Sequence, residues 1–229
     1  MKIEYTISEV LPNIFAVVVP DSYHRALLFC RVEEFYESPN TDFRNKPFDI
    51  WDYIEWYSRE HDDSFTYAND WGGFNIPLKK ITECMTGLEH GIQSPYDSEM
   101  LSILLKLFKT IEENEHGDKE KAYVIGTDSL TSGTFKHELC HGLYYSNEEY
   151  KTICDEITKT IDEEQYNSLM SDLLDMGYTE QVVDDEIQAY MIDGWEKLNI
   201  NKEINDYREK LSEKYISKLS KFFSENLVV

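Results

Sequence analysis

The five residues His137-Glu138-Leu139-Cys140-His141 constrain this chain more than any other stretch. They carry chemistry only as part of an α-helix, where one turn puts both imidazoles on the same face and within reach of a single metal ion. Glu138 then stands beside that face, close enough to take a proton from a water at the metal. Two imidazoles do not complete a hydrolytic site, which needs three protein ligands and one open position. The fold therefore has to bring a further ligand to this helix from elsewhere in the chain. His24, His61, His90 and His116 show no ligand spacing and read as surface or core residues.

At 229 residues, with 41% hydrophobic and 14% aromatic content, the chain is long and apolar enough for one folded domain with a real core. No linker or repeat divides it. An N-terminal lobe of about 1–130 reads as mixed, and a lobe of about 131–229 as helical. Strands are predicted over Lys2–Ile7, Asn13–Pro20 and Ala26–Val32, and an aromatic-rich helix over Pro47–Glu60. Trp71-Gly72-Gly73-Phe74 reads as a packed turn. Ser98–Glu113 is predicted helical, with Met100, Leu101, Leu104, Leu105, Phe108 and Ile111 inward.

Lys121–Gly126 reads as a short strand leading into a motif helix from about Thr131 to Tyr145. Ser146-Asn147-Glu148-Glu149 fits a capping box for the next helix, to about Ile161. Further helices follow over Asp162–Met176, with Tyr166, Leu169, Met170, Leu173 and Leu174 inward and Gly177 as its stop, then over Glu180–Leu198 and Asn201–Ser224. Mixed structure followed by helices is an α+β arrangement.

A net charge of −23 makes nucleic acid a poor partner, because a phosphate backbone would be repelled. The acids are concentrated: residues 146–188 hold thirteen against two lysines, directly after the motif. Most serve as solvated helix faces. The four cysteines are irregularly spaced without a C-x-x-C pair, so buried free thiols are expected. No stretch approaches the ~20 apolar residues that span a bilayer. Met1-Lys2-Ile3-Glu4-Tyr5 does not open a Sec signal peptide, which makes the cytoplasm the default location.

The third ligand is sought on the later helices. In Val183-Asp184-Asp185-Glu186-Ile187-Gln188-Ala189-Tyr190, residues Val183, Ile187 and Tyr190 lie three or four positions from Glu186, or next to it, on one apolar face. An acid on such a face needs a partner, and a metal is an adequate one. Asp184 and Asp185 lie more to the flanks and read either as solvent-facing groups or as groups that steady a ligand. Glu163 is the runner-up, although in the first turn of its helix an acid is ordinarily steadied by the helix dipole.

The string His137-Glu138-Leu139-Cys140-His141 with a helical Glu186 resembles the zincin superfamily of metallopeptidases, in its glutamate-liganded, gluzincin-like branch. The resemblance covers roughly residues 121–195 and is specific in the five-residue string. It implies a zincin-like α+β fold and Zn²⁺ held by His137, His141 and Glu186. It implies Glu138 as general base for peptide hydrolysis, and Tyr190, Tyr144 or Tyr145 as a donor to the developing oxyanion. It also implies that the strand at Tyr123–Gly126 lines the cleft and pairs with an extended peptide or protein substrate. The three-histidine form would need glycine at 144 and histidine at 147, where this chain has Tyr144 and Asn147. The thermolysin-type Asn-Glu-x-x-Ser-Asp signature is absent, and Tyr190 stands where an acid four residues after the ligand would be. Peptide deformylases share H-E-x-x-H but add a cysteine from Glu-Gly-Cys-Leu. Thr82-Glu83-Cys84-Met85 matches that only in part, and Cys140 reads as a packing residue. Two rival expectations remain: a protein-binding module that keeps the metal without turnover, and a closed structural site with a fourth protein ligand.

Overall fold

The computed structural model describes residues 3–88, 91–193 and 202–226. The architecture is α+β: a four-stranded sheet and, among the described residues, ten α-helices. The chain falls into two compact units, Met1–Phe135 and Lys136–Val229. The first holds the whole sheet. Strand β1 (Thr6–Leu11) pairs antiparallel with β2 (Ile14–Val18), β2 pairs parallel with β4 (Tyr123–Thr127), and β4 pairs antiparallel with β3 (Phe74–Pro77). In the spatial order β1-β2-β4-β3 the strand at Tyr123–Thr127 is interior. Both of its edges are already bonded, so it has no row of amides to offer a substrate, contrary to the strand-addition role expected of it. The open edges belong to β1 and β3.

The segment Ala26–Val32, expected as a strand, lies inside helix α1 (Ser22–Glu37). Asp21 caps that helix by accepting the His24 amide at 2.8 Å. The helix has a physical reason for hiding its period. Helix α1 packs against β3, β4 and helices α3 (Tyr67–Asp70), α4 (Leu78–Thr86) and α5 (Pro95–Glu113). Buried on nearly every side from Arg25 to Phe35, it shows no polar face and hence no helical period. Its Phe29 ring lies over the sheet at Gly126, where an added Cβ would come within 2.6 Å of the ring. Helix α2 (Ile50–Glu60) adds Tyr53 and Tyr57 to an aromatic interior shared with Phe43, Phe48 and Tyr67.

Helix α5 starts earlier than predicted because Ser94 and Asp97 form a capping box ahead of Pro95. Its buried face runs Met100, Ile103, Leu104, Leu107, Ile111, while Leu105, expected inward, is 69% exposed.

The second unit is helical. Helix α6 (Gly133–Ser146) enters it with the His-Glu-x-x-His turn. Helix α7 (Glu148–Thr158) is capped by Asn147, which accepts the Tyr150 amide at 2.9 Å, so the capping residue is one later than predicted and Ser146 ends the preceding helix. Helix α8 (Glu163–Asp175) is capped by Asp162 and ends at Gly177, whose φ of 98° suits glycine. The Tyr178 amide donates to the Leu173 carbonyl and the Gly177 amide to that of Leu174, the paired bonds of a Schellman stop. Leu174, expected inward, is exposed.

Helix α9 (Val183–Asp193), entered through a short 3₁₀ turn at Glu180–Val182, packs against α7, α8 and α10 (Lys202–Asn226). The predicted extension of its helix to Leu198 lies outside the described residues. Arg208, fully buried, pairs with Asp172 to tie α10 to α8. All four cysteines are free and buried. Among the described residues no helix is long and apolar enough to cross a membrane.

Candidate metal centre

Ser132 caps helix α6, its Oγ accepting the Phe135 amide at 3.1 Å, and His137 and His141 follow one and two turns later. Helical spacing then brings their Nε2 atoms 3.2 Å apart. Glu186 arrives from α9, only 5% exposed, among Val183, Ile187 and Tyr190. Its Oε2 lies 3.6 Å from His137 Nε2 and its Oε1 lies 3.6 Å from His141 Nε2. Three ligand atoms thus converge within 4.8 Å of one another, the one such group of histidine, cysteine or acid side chains among the described residues.

Those separations test whether a metal fits. Ligands about 2.0–2.1 Å from a tetrahedral zinc stand roughly 3.3 Å apart, close to what His137, His141 and Glu186 already present. Two imidazoles and a carboxylate brought this close in a buried site draw a cation, a proton or a metal ion, between them. Among the described residues, the buried Glu186 Oε2 has no hydrogen-bond partner. In a folded interior, a polar atom left this way signals a missing partner. Two neutral nitrogens and one carboxylate oxygen are a donor set that suits zinc.

His141 is the better supported of the two histidines. Its Nδ1 donates to Asp185 Oδ1 at 2.9 Å, which fixes the tautomer and leaves Nε2 free to ligate. Burial alone would push its pKa down, but Asp185, Glu186 and Glu138 together raise it well above the ordinary imidazole value. The pocket therefore draws positive charge to this nitrogen, and a metal has to displace a proton to bind. Asp185, read from the sequence as a flanking group, fills the role expected four residues after the ligand, from one residue before it.

Glu138 is 7% exposed, and its charge acts on His141, Tyr178 and Tyr190. Tyr190 sets its ring edge-on to His137 at 4.7 Å, and its hydroxyl shares a 3.1 Å hydrogen bond with Tyr178. Burial raises the Tyr190 pKa, with the bond from Tyr178 acting the other way, and burial followed by Glu186 raises that of Tyr178. Both phenols remain protonated donors at neutral pH. Tyr178 carries no mark of this place in the sequence. It follows the Gly177 stop directly, but nothing in one sequence separates it from fifteen other tyrosines.

The remaining candidates go elsewhere. Tyr144 donates to Asp155 at 2.6 Å, and Tyr145 is 40% exposed. Glu163 is exposed in the first turn of α8 and takes no part in the cluster. Cys140 is buried on α6, its thiol pushed up to about 12 by burial, and is not among the converging groups. Cys84 directs its thiol at the Arg31 carbonyl, 3.8 Å away. His24 pairs with Tyr96, His61 with the Tyr57 carbonyl and His116 with Glu9, while His90 lies outside the described residues. Compared with known proteins, the chain matches no family model, no curated protein and no solved structure.

Proposed function

We propose that the protein is a zinc-dependent peptidase of the zincin kind, acting on a peptide or protein substrate. The observation that carries the reading is the convergence of His137 Nε2, His141 Nε2 and a Glu186 carboxylate oxygen at separations of 3.2–3.6 Å, next to a buried Glu138. His137, His141 and Glu186 would hold the ion. When bound, zinc supplies Lewis acidity toward a carbonyl and makes a coordinated water more acidic. The Glu138 carboxylate takes a proton from the attacking water as its oxygen bonds to the carbonyl carbon. It returns that proton to the nitrogen as the C–N bond breaks. The Tyr190 hydroxyl, held by Tyr178, is the donor available to the negative charge that develops on the carbonyl oxygen.

The test combines zinc stoichiometry of the purified protein with chelator-sensitive cleavage of a peptide library. Glu138→Gln is expected to keep zinc and to lose turnover by about 10²–10⁴-fold. Equal turnover in that variant overturns the mechanism. One equivalent of zinc with no cleavage of any peptide overturns the enzyme and leaves a metal-retaining binding module.

A further inference from the structure

The hydrogen bonds around Asp185 do not stop at His141. Gln188, one turn further along α9 and 0% exposed, donates from Nε2 to Asp185 Oδ1 at 2.9 Å. Its Oε1 accepts the Tyr150 hydroxyl from α7 at 2.7 Å. The Cys154 thiol, one turn beyond Tyr150, reaches the same oxygen at 4.0 Å. Tyr150 and Cys154 are also fully buried. Two donors on Oε1 allow the amide only one orientation. Turned the other way, it would point its oxygen at the Asp185 carboxylate and its NH₂ at a donor hydroxyl and a thiol.

We infer that Gln188, locked by Tyr150, is a positioning residue for the metal centre: it holds Asp185 against His141 Nδ1 and so sets how tightly zinc binds. The inference rests on the metal reading above and extends it to residues on two helices that touch no ligand atom. Asp185 Oδ1 receives two N–H donors, from His141 and Gln188, and a carboxylate oxygen so held has little freedom to rotate away. Its side chain is 28% exposed, so without Gln188 it can swing to water and release the imidazole. A group that hydrogen-bonds a ligating imidazole, as Asp185 does, ordinarily changes metal affinity 10–100-fold, and Gln188 acts through it with a smaller effect. A buried glutamine is also costly unless its polar atoms are paired, and this one pairs toward the centre.

The experiment measures the zinc dissociation constant by competition with a chromophoric chelator, for the full chain and for Gln188→Met and Tyr150→Phe. Thermal unfolding of each metal-free protein and the His141 Nδ1 proton resonance of each zinc-loaded protein are followed alongside. Gln188→Met is expected to weaken zinc binding by up to about 10-fold and to lose exchange protection at that proton. Tyr150→Phe should give a smaller loss in the same direction. A Gln188→Met protein that melts earlier but binds zinc as tightly as the parent overturns the inference, since Gln188 is then only packing. Should that variant fail to fold, Tyr150→Phe, which removes one hydroxyl, decides by the same criterion. A parent protein without zinc affinity overturns the metal reading itself, and that is seen before any variant is made.

Discussion

Each unit buries charge, and the two do so to opposite ends. In the first, Arg31 and Asp97 are both about 5% exposed or less and form a pair at 2.9 Å. Arg31 also donates to the Phe48 carbonyl and to Gln93 at 2.7 Å, and Asp97 accepts the amides of Gln93 and Ser94. That cluster is complete within the protein. In the second unit, His137 Nε2, His141 Nε2 and the Glu186 carboxylate converge, and among the described residues Glu186 Oε2 has no hydrogen bond. A buried polar group that is fully paired belongs to the architecture, whereas one held in place and left short of a partner is ready for a ligand.

Breaking the complete cluster is expected to have the largest effect. Asp97→Ala leaves the Arg31 guanidinium buried without its counter-ion and should cost about 3–5 kcal/mol in denaturant unfolding. The incomplete cluster should answer differently. Glu186→Ala in the metal-free protein is expected to lower the melting temperature only slightly, because Oε2 makes no hydrogen bond among the described residues and the carboxylate acts on the two imidazoles only from 3.6 Å. A fall as deep as that of Asp97→Ala would erase the distinction between the two regions. Zinc at about 100 times its dissociation constant should stabilise the parent by about 3 kcal/mol and leave Glu186→Ala unchanged, as thermal shift would report.

A smaller effect is expected at the turn that delivers Tyr178. Gly177 sits at φ 98° with open space around it, so Gly177→Ala meets backbone strain rather than a clash and should cost about 1 kcal/mol. The smallest change sharpens the picture of the first unit. Glu34 is 4% exposed, and burial raises its pKa above the ordinary 4.5 despite the hydrogen bond from Tyr67. Its folded form holds a proton that the unfolded chain releases. The stability it contributes is therefore present below about pH 4.5 and lost as pH rises through the folded value. Glu34→Gln should be at least as stable as the parent at pH 7 and show a shallower decline in melting temperature from pH 4.5 to 7. A steeper decline would contradict the assignment.

Much of the centre was legible in the chain itself. His137 and His141 are one turn apart in any helix, and Glu186 falls on a face with Val183, Ile187 and Tyr190 whatever that helix packs against. Helices α7 and α8 showed in the sequence because both keep a polar face and a side-chain cap, Asn147 and Asp162. Helix α1 hid its period because it is enclosed on nearly all sides. The strand at Tyr123–Thr127 looked available for a substrate because hydrogen bonds to β2 and β3 leave no mark in its own residues.

Sequence by itself therefore determined the groups that share a turn: two imidazoles, the neighbouring carboxylate and an inward acid on a later helix. Only the tertiary structure decided which groups meet across turns and helices. It chose Asp185 rather than residue 190 to steady His141, brought Tyr178 to Tyr190 through the Gly177 stop, and set Gln188 between Asp185 and Tyr150. Periodicity governs neighbours three and four residues apart along one element. Contacts between elements depend on how their faces pack, and no local pattern of residues encodes that alone.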